Sequence, residues 1–268
     1  MAARDSFDIF RTVVSTKFSD AISESPRLSM LFHNDCLYLS NRALVIGFKY
    51  REKLVEPYSS LTLFVDMVPL LRDAAERTYC NQLRIARERI HEDLDQLPCL
   101  SDLNDSDAYS QMDNVIKNCV RKINHFVRDL GNVLPFPLHV QTTAHLLDTA
   151  LLRLLKAVLQ MNVIPSGLKW TLTELLEELK DSIAIERVAD ANDDSESITL
   201  YDSSQYLRKT ELLIMFVKAG KDDLMREENK KEFQKFFVES ELVKLIHSCY
   251  CDSPELRKEL IDIFTSTS

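Results

Sequence analysis

The chain has 268 residues, 45% of them apolar and 28% charged, an ordinary balance for a globular protein that buries a core. Its 42 acidic and 33 basic side chains give a formal net charge of −9. That argues against a nucleic-acid surface, where phosphate neutralisation needs Lys and Arg clustered on one face. Only 4 residues are glycine, where ordinary usage would supply roughly 19; so few of the residue that β-turns and phosphate-cradling loops need predicts a chain built almost entirely of helices and removes most enzyme folds.

In chain order, Phe7, Phe10, Val14 and Phe18 recur every three to four residues and predict a first amphipathic helix, with Asp5 as its cap. Ser25 as N-cap and Pro26 at the first helical position open a second helix running to about Leu54, with Gly47 inside it and Pro57 beyond it. From Ser60 to about Leu97 the pattern stays helical for nearly 40 residues, roughly 60 Å, with Pro69 as the expected kink. Such a length suits a rod. Ser101 to Asp107 reads as a polar linker, and Tyr109 to Leu130 as a helix stopped by Gly131 at the C′ position, where a left-handed backbone is usual.

Leu138 to Met161 is apolar through Leu146, Leu147, Leu151, Leu152, Leu154, Leu155, Val158 and Leu159, which predicts a central helix buried nearly all round. After Pro165 and Gly167, Thr171 and Glu174 stand at capping-box spacing, with helix expected to about Val188. Asp190 to Ser204 concentrates Asp, Ser and Asn without an apolar period and is expected to be a mobile loop. Helices resume near 205–219, 222–237, 240–249 and 253–264. Residues 1–165 are expected to form a helical rod segment and residues 166–268 a C-terminal helical segment continuous with it.

Catalytic chemistry is thin. Arg84, Arg87 and Arg89 are interrupted by Glu88, Glu92 and Asp93, the pattern of a solvated helix face with intrahelical ion pairs. Six cysteines in a long chain, with no signal-peptide pattern after Met1 and no apolar run able to span a bilayer, predict thiols in a reducing cytosol. Cys249 and Cys251, with His247 before them, lack a second ligand pair at finger spacing. His91, Glu92, Asp93 and Asp95 form no H-E-x-x-H, while His139 and His145 fall on different helix faces. No nucleophile elbow or phosphate loop is present, and Trp170, the single tryptophan, reads as a core or interhelix anchor. No catalytic, cofactor or metal site is expected.

Several stretches carry a resemblance. Leu31-Phe32-His33-Asn34-Asp35-Cys36-Leu37-Tyr38-Leu39, with Leu44 and Gly47 after it, resembles the signature helix in the C-terminal half of the Zeste-White ten family of vesicle-tethering and kinetochore proteins. The likeness continues through Phe64-Val65-Asp66-Met67-Val68-Pro69, through Val133-Leu134-Pro135 and Leu146-Leu147-Asp148-Thr149-Ala150, and into Ser240-Glu241 with Leu245, Ile246, Arg257, Leu260 and Ile263. It covers nearly the whole chain. One departure is Leu130, where the family can carry a Trp before its V-L-P segment; a lost interhelix contact is the expected effect.

The resemblance implies an all-α, elongated helical rod or bundle of the multisubunit tethering-complex type, and a non-catalytic scaffold role. It further implies Golgi-to-endoplasmic-reticulum traffic within a tether that engages SNARE proteins, and kinetochore work beside Rod and Zwilch in animal relatives. Location would be cytoplasmic, peripheral at the endoplasmic reticulum, and at kinetochores in mitosis. The family's chains are much longer, so this sequence is expected to be a fragment or a shortened relative lacking the N-terminal part that contacts other tether subunits. A generic helical rod from another tether, such as an exocyst-like assembly, is the alternative. A helical-solenoid subunit of the Rod or neuroblastoma-amplified type is the expected partner, docking at Leu242, Lys244, Leu245, Ile246 and Arg257. The same apolar residues have a second reading, in which they close the molecule's own end.

Overall fold

The structure, a computed structural model, describes residues 2–56, 63–100, 105–181, 183 and 199–265. It is all-α, with no strand among the described residues. The chain divides into two compact units, residues 1–87 with 126–139, and residues 88–125 with 140–268. Pro165 and Ser166 both lie in the second.

In the first unit, α1 (Ala2–Ile9) passes into a π-helical turn at Phe10–Val14, followed by α2 (Ser15–Lys17) and α3 (Ser19–Glu24). The helix starts upstream of Asp5, which therefore sits in the first turn and is not a cap. The π-turn takes in an extra residue and rotates the downstream face. Phe7, Phe10 and Val14 reach the core, but Phe18 does not; it is exposed, and Ile22 packs in its stead.

α4 (Pro26–Arg51) starts as its sequence says, with the Ser25 hydroxyl accepting the Leu28 N–H at 3.3 Å and Pro26 at the first helical position. Its buried line, Phe32, Cys36, Ser40, Ala43 and Gly47, is mostly small. Small side chains allow helices to approach closely, and Ala74 and Ala75 of α5 (Met67–Leu94) pack against Phe32 and Cys36. A second cluster joins Ala43 to Phe64, Met67, Val68 and Leu71. The Phe7 and Phe64 rings meet edge-on at 5.7 Å, while Phe10 stacks on Phe32 at 5.6 Å.

The long helix expected from Ser60 is shorter. Residues 57–62 lie outside the described residues, Leu63 and Phe64 are not helical, and α5 begins at Met67. Pro69 thus stands in a first turn, where its missing N–H needs no intrahelical partner, and is not a kink.

α6 (Ser106–Leu130) stops where expected, yet Gly131 does not adopt the left-handed backbone; its N–H goes on to the Val127 carbonyl at 3.0 Å. α7 (Phe136–Leu159) is the core of the second unit. From Thr142 to Leu151 every residue except His145 is buried, and Leu154, Leu155 and Val158 continue the stripe. α8 (Ser166–Asp181) begins five residues before Thr171, so Thr171 and Glu174 are helix-interior positions and form no capping box. Its buried side is Leu168, Leu172, Leu175, Leu176 and Leu179.

The expected continuation to Val188 and the loop over 190–198 fall outside the described residues, apart from Ile183. The end of that loop is ordered differently, since Thr199 caps the short α9 (Leu200–Ser203) through a reciprocal pair with Asp202. The chain finishes with α10 (Leu207–Lys218), α11 (Lys221–Leu224), α12 (Glu227–Phe236), α13 (Glu239–Cys249) and α14 (Pro254–Thr265). Met225 and Arg226 separate α11 from α12, where the sequence suggested one helix.

Candidate interaction surfaces

The C-terminal helices meet around phenylalanines. Phe216 contacts Phe233 edge-on at 5.3 Å and Phe264 at 6.4 Å, and Phe233 lies 6.1 Å from Phe264. Leu242 is 1% exposed and Leu245 and Ile246 are 0% exposed, so all three are covered within the fold. The second of the two sequence readings describes these positions: burying each such side chain stabilises the bundle by about 1.5 to 3 kcal/mol, and none forms a free apolar surface. Lys244 is exposed and Arg257 half-buried. The motif residue Glu241 accepts the Val238 N–H at 3.0 Å and the Lys209 ammonium at 2.7 Å, and Lys209 also lies 4.8 Å over the Phe237 ring. Ser240-Glu241 is thus a helix start tied to α10.

Other motif residues are joints of the same kind. Asn34 donates its amide to the Val133 carbonyl at 2.6 Å, which links the signature helix to the V-L-P turn. The His33 Nδ1–H donates to the Ala75 carbonyl at 2.9 Å. Since a carbonyl only accepts, Nδ1 carries a proton. Arg4 pairs with Asp66 at 2.9 Å. Asp148, buried on α7, accepts the Ser204 hydroxyl, the Gln205 N–H at 3.0 Å and the Tyr206 N–H at 3.2 Å. Tyr206 offers α10 no capping side chain, and Asp148 supplies the anion at that helix start from another element.

A charged network braces the second unit. Glu211 of α10 accepts the Tyr201 hydroxyl, the Arg208 guanidinium at 2.9 Å and the Lys180 ammonium at 3.4 Å, while Arg208 Nε also donates to Glu232 at 2.9 Å. Burial works to raise the Glu211 pKa, but the Tyr201 and Arg208 hydrogen bonds and the Lys180 charge outweigh it and hold the carboxyl below its ordinary value. Lys122 pairs with Asp93 at 2.8 Å and caps the Arg89 carbonyl at 3.0 Å.

Three of the six thiols are muted. Burial pushes the Cys36 and Cys119 thiols up to about 12 and the Cys249 thiol up to about 11, so all three are neutral at physiological pH and poor nucleophiles. His139 is tied to the Val127 carbonyl at 2.9 Å, and His145 is exposed. Among the described residues no three His, Cys, Asp or Glu side chains converge as metal ligands, and no helix is long and apolar enough to cross a membrane. A cleft of about 420 Å³ between Lys230, Gln234, Glu239 and Phe264 mixes charges of both signs. A second, of about 600 Å³, is bounded by Leu97, Cys99, Arg153, Lys156 and Val163.

Two exposed features escaped the sequence reading. Trp170 is 71% exposed, covered on one face by the Lys218 ammonium 5.6 Å from its ring, and is therefore no core anchor. The helix period places it opposite the leucines of α8, a signal available beforehand. The other is the outer face of α4, where Leu28, Leu31, Tyr38 and Val45 are exposed. Their seven-residue recurrence was legible, but a period does not tell which of two apolar faces is covered.

Residues 1–92 match the family model of the centromere/kinetochore protein zw10, C-terminal. A mouse protein named centromere/kinetochore protein zw10 homolog is 26% identical over 162 residues, 59% of this chain and 20% of its own length. The rat homolog is 26% identical over 155 residues, 56% of this chain and 19% of its own. The Arabidopsis thaliana homolog is 23% identical over 261 residues, 97% of this chain and 35% of its own. The chain thus spans about a fifth to a third of the length of these relatives. With its motif residues found at helix starts and joints, the chain is similar over residues 1–92 to the C-terminal family model of centromere/kinetochore protein zw10, and over 97% of its length to the plant zw10 homolog.

Proposed function

We propose that this chain is a non-catalytic helical scaffold within a membrane-tethering complex of Golgi-to-endoplasmic-reticulum traffic, with a kinetochore and spindle-checkpoint role in animal relatives. The observation that carries the reading is the zw10 C-terminal match over residues 1–92, a stretch in which Asn34, His33 and Asp66 tie separate segments together.

The partner on this reading is a helical-solenoid subunit of the Rod or neuroblastoma-amplified type, with other tether subunits and Zwilch reached through it. Location follows the complex: cytoplasm, the endoplasmic-reticulum surface, and kinetochores in mitosis. The tagged full chain, purified from interphase and mitotic cells and read by mass spectrometry, is expected to bring down such a solenoid subunit. Consistent recovery of exocyst-type subunits instead would assign the chain to another tether, and recovery of neither would overturn the scaffold reading. An extended scaffold also predicts a radius of gyration by small-angle scattering above the roughly 18 Å of a compact chain of this length.

A further inference from the structure

Helix α4 is apolar on two sides. Its inner line is buried, whereas Tyr38 is 57% and Val45 55% exposed on the outer line, with Leu28 and Leu31 exposed along the same side. Leu31, Tyr38 and Val45 stand seven residues apart and Leu28 three before Leu31, so they follow a seam that drifts only about 20° per heptad on a straight helix. The intervening seam positions are Asp35, Arg42 and Lys49.

The seam is also basic. From Cys36 to Arg51 the seam carries Arg42 and Lys49 and the helix no acidic residue, in a chain whose net charge is −9; Arg51 falls on the opposite side of the helix. Arg42 lies 5.1 Å from the Tyr38 ring centroid and donates to its hydroxyl at 2.9 Å, and Lys49 lies 5.8 Å from the Tyr50 ring. Both cations thus rest on aromatic rings, and neither meets a carboxylate among the described residues.

We propose that the outer face of α4 is a docking seam for an acidic amphipathic helix of a partner protein. Its apolar residues would seat on Leu31, Tyr38 and Val45, and its Glu or Asp side chains would pair with Arg42 and Lys49. A seam with period 3.5 fits a single helix, and the exposed Ile46 and Phe48 on either side of it would widen the footprint at its C-terminal end. A lipid surface fits less well, because Asn34 and Asn41 flank the stripe and the other half of α4 is committed to its own core. A second copy fits less well too: a parallel α4 would set Arg42 and Lys49 against themselves, and an antiparallel one would offer them a single acid, Asp35. The proposal goes beyond the scaffold reading, since it names a surface and a ligand chemistry that hold for whichever assembly contains the chain.

The test uses the full chain as bait for a displayed library of helical peptides whose seam and flanking positions vary without charge bias. Selected peptides are then titrated by fluorescence anisotropy. Enrichment of Leu and Ile at the seam with Glu and Asp beside it is expected. Arg42→Glu with Lys49→Glu is expected to weaken those peptides about tenfold at low salt and less at high salt, and lysine-for-glutamate peptides should recover binding to that variant. Tyr38→Ser with Val45→Ser should abolish binding to both while circular dichroism stays unchanged. Selection of no acidic helix, or equal binding by both variants, would overturn the proposal. Self-association that Tyr38→Ser with Val45→Ser removes would give the face to a second copy, and co-sedimentation with phosphatidylserine vesicles removed by the same changes would give it to a membrane; either overturns it as well.

Discussion

The two units treat large apolar side chains in opposite ways. Among the described residues of the second unit only Val163, Trp170, Tyr201 and Val238 are exposed large hydrophobics, while the rest, from Ile9 to Leu70, belong to the first. The helices of the second unit, α7 among them, bury nearly all that they have. In the first unit the long α4 buries a mostly small line, and alongside a core of Phe32, Phe64, Met67 and Leu71 the unit leaves many large apolar side chains outside. A strong apolar pattern therefore means different things in the two places: in α7 it marks a core, and in α4 it marks a core on one side and a bare face on the other.

The largest effect that would sharpen this contrast is at Leu151, 0% exposed on α7. Leu151→Asp would place an unpaired carboxylate in the core, at a cost of about 4 kcal/mol or more, whereas Val45→Asp on α4 should stay within about 0.5 kcal/mol of the parent. Thermal melts of the two variants decide; equal losses would mean that Val45 is covered.

Asp148→Ala comes next. It removes the acceptor for the Ser204 hydroxyl and for the Gln205 and Tyr206 N–H groups, and should destabilise the second unit by about 2 to 3 kcal/mol. Asn34→Ala, which removes the bond to Val133, should cost about 1 kcal/mol. Denaturant titration measures both, and an Asn34→Ala loss as large as that of Asp148→Ala would show the joints of the first unit to be as demanding as those of the second.

A smaller and pH-dependent effect belongs to Glu211. Its pKa in the folded chain is lowered, so in the window below the ordinary glutamate range the unfolded chain binds the extra proton. Its contribution is therefore complete above that range and is lost as pH falls through the lower folded value. Glu211→Gln should lower stability at neutral pH by about 1 kcal/mol and flatten this part of the acid limb. An unchanged acid limb would show that Arg208 and Lys180 do not discriminate the charged form. Smallest of all, Lys244→Glu with Arg257→Glu should leave the melting temperature unchanged while weakening capture of a solenoid subunit at low salt. Full retention of that partner would place its docking surface elsewhere.

Helix identity was legible wherever punctuation was chemical. Ser25-Pro26 marked the start of α4, and the leucines of α7 marked the core. What the sequence hid was non-local or arose from irregular backbone. The π-turn at Phe10–Val14 shifts the phase by which Phe18 would have been placed inside, and no residue type announces such a turn. Thr171 and Glu174 have the spacing of a capping box, but helix had already begun at Ser166 because the leucine stripe of α8 extends back to Leu168. Asp148 reads as one more polar residue until Gln205 and Tyr206 arrive beside it. At Leu242, Leu245 and Ile246 the apolar period was right, and only the tertiary arrangement shows that their own bundle covers them.

The buried thiols have a practical consequence. Cys36 lies in the first unit and Cys119 and Cys249 in the second, while Cys80 and Cys99 are exposed. Alkylation of the exposed pair should be prompt, and each buried sulfur can react only when its surroundings open. The labelling rates at Cys36 and Cys119, resolved by peptide mass spectrometry, would therefore clock the opening of each unit separately in the unmodified protein. A partner that seats on α4 should slow the clock at Cys36 and leave that at Cys119 running as before.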